Sequence, residues 1–252
     1  PIVHAYTMRW AVEDGTVTPL LYEERRPALD INQKAIDKWF ETIPHGLSDE
    51  QKADLKRKYA KRGAVYGSEG RIRLIAWDIA LHFSENVKKL DKPLKGQLAC
   101  DSKLSAIRYK RFLDDTGLVT SRIVISPPDT REGHSEVDEA EQPEVQQWWK
   151  DNISGDAYEY ERETIEHFGM DGDPDLLIVV DKLLTGFDAP SATYLYIDKQ
   201  MADHNLFQAI CRGNRLDGAG KEYGYIGDYK DLFRCLDKAR TDYTQGAFEG
   251  YD

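Results

Sequence analysis

At 252 residues, with 40% hydrophobic and 31% charged residues, the chain is long enough to bury a full core and has the composition of a soluble globular protein. No apolar run approaches the about 18 residues that a membrane-spanning helix needs, and a formal net charge of −11 argues against a generic binder of polyanions. Cys100, Cys211 and Cys235 are an odd number without C-x-x-C spacing, which speaks for a reducing compartment and against a zinc or disulfide framework. No signal-peptide pattern opens the chain, so a cytoplasmic location is expected. Pro1 in place of methionine is expected of a processed or excised fragment.

In chain order, Thr7–Asp14 is expected to form two helical turns stopped by Gly15, followed by a strand at Val17–Tyr22. Pro19 within that run predicts an edge position or a strand start. From Ala28 to Asn86 the pattern is mostly helical. Ser48-Asp-Glu-Gln51 is a capping box for a helix to about Arg62. Its lysines and arginines read either as a phosphate-contacting face or, by preference, as a solvated face. Ser68 is placed to cap the next helix, whose stripe of Ile72, Ile75, Ala76, Ile79 and Phe83 predicts core packing. Lys88–Lys95 reads as a connection.

From Gln97 onward, strands and helices alternate. Gln97–Cys100 is a strand, Asp101-Ser102 caps a helix from Lys103 to about Asp114, Gly117 ends the turn, and Ser121–Ile125 is the next strand. Ser126–Pro143 is polar and acidic and reads as a solvated loop, without the spacing of an EF-hand. Val145–Lys150 and Tyr158–His167 are expected to be helices. Leu176–Val180 is an apolar, β-branched run of the kind buried on both faces of a parallel sheet. Tyr194–Ile197 and Glu222–Tyr229 are further strands, and Lys230–Thr241 a last helix. Such alternation implies a mostly parallel sheet with helices on its faces.

Two stretches carry chemistry. Thr185-Gly186-Phe187-Asp188 follows the buried strand at the end where open α/β sheets bind ligands. Gln208, Arg212 and Arg215 lie near one face of an expected helix. Two arginines one turn apart suit phosphate, which each can grip through a forked pair of donors. The alternative is a surface helix whose arginines pair with the carboxylates of an acidic chain. Gly218-Ala-Gly-Lys-Glu222 is not a P-loop, because Arg215 stands where the first glycine belongs and Glu222 where a hydroxyl belongs. No D-E-x-[DH] magnesium motif and no H-x-x-x-H zinc spacing occur, so no metal ligand is nominated.

Thr185-Gly-Phe-Asp-Ala-Pro190 resembles motif V of superfamily 2 helicases, in the form typical of the motor (R) subunit of type I restriction enzymes. Gln208-Ala-Ile-Cys-Arg-Gly-Asn-Arg215 resembles motif VI, with Cys211 where a glycine is usual. Val124–His134 and Ala11–Gly15 also resemble segments of that subunit, and Cys100-Asp101-Ser102 falls where motif IV does. The resemblance implies a RecA-like three-layer α/β/α domain with an N-terminal helical insertion. It divides the chain into 1–27 (linker and first strand of the second motor domain), 28–95 (helical insertion) and 96–252 (the body carrying motifs IV to VI). It further implies ATP and Mg as cofactors, held mainly by a first motor domain, and double-stranded DNA as partner. The nuclease and first motor domains of the same polypeptide, and the modification and specificity subunits, would be the protein partners, with no membrane.

By the same resemblance Arg212 and Arg215 reach the nucleotide phosphates, one as the arginine finger. Gln208 orients the helix or touches phosphate. Gly186 allows close backbone approach to the nucleotide, and Asp188 accepts from the ribose or links to motif VI. Thr185, Asp101 and Ser102 approach the DNA backbone, although a plain helix cap explains the last two equally well. The competing functions are a non-catalytic α/β nucleotide- or protein-binding module, and the motor of a type III restriction or repair helicase.

Overall fold

The computed structural model of the chain describes residues 13–25, 68–90, 92–128, 143–153, 155–170, 172–184, 192–201, 206, 222–230 and 232. Six strands form one sheet: β1 (Leu20–Glu24), β2 (Lys95–Cys100), β3 (Ser121–Val124), β4 (Leu176–Val179), β5 (Ala192–Asp198) and β6 (Gly224–Asp228). Their order across the sheet is β1-β6-β5-β2-β4-β3, and every pair is parallel. Among the described residues four α-helices accompany them: α1 (Ser68–Asn86), α2 (Lys103–Thr116), α3 (Pro143–Asn152) and α4 (Ala157–Phe168).

Local chemistry explains the boundaries. Ser102 sits in extended conformation before α2 and accepts from the Ser105 amide at 3.1 Å. At the other end Gly117 takes a left-handed φ of 64° and donates to Asp114 O at 3.1 Å. Asp156 caps α4 in the same way, accepting from Tyr158 N at 2.9 Å. Pro143 opens α3, where its missing N–H costs nothing. β1 begins later than the expected Val17, because Pro19 has no amide to give to a ladder. Pro19 instead accepts from Gly224 N at 2.8 Å, and pairing with β6 starts at Leu20, on the sheet edge that the proline predicts. The expected helices at 7–14 and 48–62, and the acidic stretch 129–142, lie outside the described residues, apart from the turn at Glu13 and Asp14.

The alternation along each strand sorts the core into two faces. On one, Leu98, Ile123, Leu176, Ile178, Tyr194, Tyr196 and Tyr225 pack in one cluster with Ile75, Ile79 and Phe83 of α1 and with Tyr109 and Phe112 of α2. The predicted stripe of α1 is thus buried against the sheet. On the other face, Ala99, Val124, Leu177 and Val179 meet Phe168 at the end of α4, while Leu195, Ile197 and Ile226 meet Leu206 and Leu232. The result is a three-layer α/β/α arrangement. All four residues of β4 are buried, as a strand covered on both faces requires.

Close packing of α1 on β2 leaves Gly96 no room for a side chain. A Cβ there would stand 2.4 Å from Leu176 Cδ2 and 3.1 Å from Phe83 Cε2. Gly96→Ala is expected to destabilise the fold by about 1–3 kcal/mol through overpacking, read as a lower urea midpoint at unchanged m-value.

Along the seam of α1, β1 and β6, Arg25 makes a forked pair with Asp78, through Nε to Oδ2 at 2.7 Å and Nη2 to Oδ1 at 2.9 Å. The Tyr229 hydroxyl donates to the same Asp78 at 2.6 Å. Beside them His82 stacks on Tyr225, 4.6 Å between centroids, and its Nδ1 meets the Tyr196 hydroxyl at 2.8 Å. Burial and, after it, the Arg25 charge lower the His82 imidazole to about 4, against the opposing pull of Glu23 and Asp78. The unfolded chain, with a pKa of about 6.5, therefore binds the proton more readily than the fold does. This contribution to stability is complete above about pH 6.5 and is lost as pH falls toward 4, on the order of 2–3 kcal/mol over the window. His82→Phe is expected to flatten the rise of the urea midpoint with pH across that interval.

Candidate functional site

The chain leaves β2 through α2 toward β3 on one side of the sheet and leaves β5 toward β6 on the other. This reversal makes the carboxyl ends of β2 and β5 the topological switch point of the sheet, the place where doubly wound sheets take ligands. Four strand ends converge there, as Cys100-Asp101-Ser102, Val180-Asp181, Asp198-Lys199-Gln200 and Asp228-Tyr229-Lys230.

Asp198 is the hub. It is 3% exposed and receives Arg71, at the start of α1, in a forked pair of 2.8 and 2.6 Å. Tyr109 of α2 donates its hydroxyl to the same carboxylate at 2.5 Å. Burial, then the Asp198 charge, raises the Tyr109 phenol, so it stays a donor at neutral pH. Arg71 also reaches Tyr229 O at 2.9 Å. One carboxylate at the tip of β5 thereby ties both helices of one layer to the ends of β5 and β6.

A second tier sits nearer solvent. Lys230 Nζ donates to Asp101 Oδ2 at 2.7 Å and stands 3.7 Å from Asp198 Oδ1. The other oxygen of Asp101 accepts from Gln200 N at 3.0 Å. Lys199 joins the β4 and β5 ends by donating to Val180 O at 3.0 Å and Asp181 Oδ1 at 2.5 Å. Asp228, fully buried, accepts from Lys230 N at 2.8 Å, from Leu232 N at 2.5 Å and from the Tyr22 hydroxyl, and so turns the chain out of β6. The Cys100 thiol is buried against Val179 O at 3.4 Å, and burial pushes it up, which leaves it an inert packing group.

Of the residues singled out from sequence, Asp101 and Ser102 are described. Ser102 caps α2, and Asp101 holds Lys230 and Gln200 N. Thr185, Gly186, Asp188, Gln208, Arg212 and Arg215 lie outside the described residues. Their described neighbours are Leu184, buried beside β4, and Leu206, buried beside β5 and β6. Sequence reasoning missed Asp198, Arg71, Tyr109 and Lys230 as one network. A polar residue closing an apolar strand run was the only signal for Asp198. Among the described residues no group of three or more His, Cys, Asp or Glu is placed to hold a metal ion, and no helix is long and apolar enough to cross a membrane.

The fold is similar to that of a solved fragment assigned to the HsdR subunit of a type I restriction enzyme from Vibrio vulnificus YJ016. That likeness has a TM-score of 0.52 at 16% identity, over 92% of this chain and 36% of the fragment. In sequence, residues 127–231 match the family model for type I restriction enzyme subunit R domain 3, and residues 1–53 match that for the SWI2/SNF2 ATPase. The HindI endonuclease subunit of the type I restriction enzyme of Haemophilus influenzae is 30% identical over 261 residues, covering 98% of this chain and 22% of that protein. The SauCOLORF180P endonuclease subunit of Staphylococcus aureus (strain COL) is 42% identical over 71 residues, 28% of this chain and 8% of that protein. Among the described residues the fold is thus an all-parallel three-layer α/β fold of the doubly wound class. The chain is a relative of the endonuclease (R) subunits of type I restriction enzymes, and it spans about a fifth of the length of the curated relatives that it matches over most of its own length.

Proposed function

We propose that this chain is the second motor half of an ATP-dependent double-stranded DNA translocase, the R subunit of a type I restriction endonuclease, working in the cytoplasm. The observation that carries this reading is the 30% identity to an R-subunit relative over 98% of the chain, and the SWI2/SNF2 ATPase match at its N-terminal end supports the motor assignment. Residues 1–27 would lead from the first motor domain, 28–95 hold the helical insertion, and 96–252 form the body that faces nucleotide and DNA.

In this reading Arg212 and Arg215 enter the cleft between the two motor halves and meet the phosphates of ATP. One of them acts as the finger that offsets charge on the transferring group. Gln208 orients their helix or contacts phosphate, Gly186 lets the backbone approach the nucleotide, and Asp188 accepts from the ribose or links to the arginine segment. Magnesium, held mainly by the first motor domain, would neutralise phosphate charge when bound. Thr185 and the Asp101-Ser102 loop lie along the DNA backbone, with the duplex shared among other domains, so a chain of negative net charge needs only a local basic track. Closure on ATP and opening after hydrolysis turn alternating grips on DNA into steps. The nuclease domain of the same polypeptide and the modification and specificity subunits complete the machine.

The test is displacement of a third strand from a triplex placed downstream of the recognition site, using the full-length polypeptide in its complex. ATP-dependent displacement is expected. Hydrolysis of ATP without displacement would overturn the translocase reading.

A further inference from the structure

The chain as a whole is acidic, with a formal net charge of −11, yet residues 68–116 carry ten Lys and Arg against seven Asp and Glu. Both helices of one layer, α1 and α2, fall in this interval, so positive charge is concentrated on that side of the sheet. Part of it gathers around one ring. Phe112 of α2 is 1% exposed. The Arg73 guanidinium of α1 stands 4.7 Å from its centroid, and that of Arg111 stands 4.8 Å from it. Arg108 lies one helical turn before Arg111 and Phe112 and shares their face of α2. Three guanidiniums therefore meet at the seam of α1 and α2. The carboxylates that face them hold loosely. Arg111, 51% exposed, donates to Glu69. Arg108 stands 3.8 Å from Glu144, an ion pair too long for a hydrogen bond. Exposed pairs of this kind are weak and are screened by salt, so an anion with several oxygens can take the place of both glutamates.

We infer that Arg73, Arg108 and Arg111 form a contact surface for the phosphodiester backbone of duplex DNA. This rests on the proposed reading of the chain as a DNA motor half, and it locates the local basic track which that reading requires. The surface is separate from the Asp101-Ser102 loop, since Arg111 lies about 14 Å along α2 from its cap. The physical reason is the guanidinium itself. Laid over an aromatic ring it is already oriented, it is weakly hydrated, and its forked donors match a pair of phosphate oxygens. The acidic remainder of the chain repels a polyanion, which leaves this seam as the favoured approach.

The experiment measures DNA binding by the full-length polypeptide in its complex, at several salt concentrations, on duplex that extends beyond the recognition site. The double variant Arg108→Gln/Arg111→Gln is compared with wild type, with Arg108→Lys/Arg111→Lys and with Glu144→Gln. Arg162→Gln and Glu163→Gln, on α4, make the same charge changes in the layer on the other face of the sheet. In the double Gln variant the slope of log affinity against log salt is expected to become shallower by about 2, one for each lost phosphate contact. The Lys pair should keep the slope, and Arg162→Gln should leave it unchanged. Glu144→Gln is expected to tighten binding more than Glu163→Gln does, because it removes a carboxylate that competes for Arg108. If the double variant does not fold, Arg108→Gln alone decides, with an expected change in slope of about 1. An unchanged slope in the double Gln variant, or an equal change in Arg162→Gln, would overturn the surface. Weakened binding of a polyglutamate peptide with DNA binding unchanged would assign the arginines to an acidic protein partner and overturn it as well. Strand displacement from a triplex by the wild-type complex is followed alongside. Displacement beside an unchanged slope sinks the surface alone, whereas ATP hydrolysis without displacement sinks the motor reading on which it rests.

Discussion

Arg212→Ala in the full-length polypeptide is expected to lower DNA-stimulated ATP hydrolysis by about 10³–10⁵-fold if Arg212 is the finger, and Arg215→Ala to do so if the role falls to Arg215. The partner arginine, as a phosphate contact, should give a smaller loss seen mainly in KM. The asymmetry follows from when each interaction is made. A group that meets charge developing on the transferring phosphoryl group stabilises the transition state more than bound ATP, so its loss appears in kcat. A group that holds the ground-state phosphates equally in both states appears in KM. Steady-state kinetics on both variants at saturating DNA therefore identifies the finger. Equal, small effects on kcat in both variants would mean that neither arginine meets the reacting phosphate.

Asp198→Ala is expected to be the most destabilising single change among the described polar residues, at about 2–4 kcal/mol. The carboxylate is buried, and its removal strands the Tyr109 hydroxyl in the core and leaves the Arg71 guanidinium without its forked acceptor. The Arg71 side chain is 40% exposed, so water recovers part of the loss and the figure stays below that of a fully buried pair. Asp198→Asn keeps an acceptor for Tyr109 and should cost less. Urea unfolding of the three proteins checks the order; a loss below about 1 kcal/mol for Asp198→Ala would mean that the network carries no more than a surface ion pair.

The parts of the fold that were legible in the sequence are those with local causes. The run at Leu176–Val179, the cap at Ser102, the stop at Gly117 and the stripe of α1 each follow from a few neighbouring residues. Strand order was not legible, since it joins β1 to β6 across some 200 positions and inserts β2 between β5 and β4. Helix and strand ends differed from expectation by one to three residues, as at β1, which starts at Leu20 and not Val17, and at Tyr194–Ile197, which extends to Ala192–Asp198. The hub at the carboxyl edge was hidden for a similar reason. Asp198 takes its partners from residues 71, 109 and 230, which no spacing rule connects. The residues proposed to face the nucleotide were nominated only because two short motifs resemble a helicase family, and spacing alone left Arg212 and Arg215 open to a surface reading; they lie outside the described residues. Conversely, the structure gave Asp101 and Ser102 clear local duties that the motif comparison did not, as the acceptor of the Gln200 amide and the cap of α2.

The most direct test of the central claim is DNA-stimulated phosphate release, measured side by side on this 252-residue chain, on the full-length polypeptide and on its Arg212→Ala and Arg215→Ala variants. The account predicts a silent chain, an active full-length protein, and near-silence in the variant that has lost the finger. Robust hydrolysis by the chain alone would show that it holds a complete nucleotide site of its own, and the assignment as one half of a shared motor would be wrong.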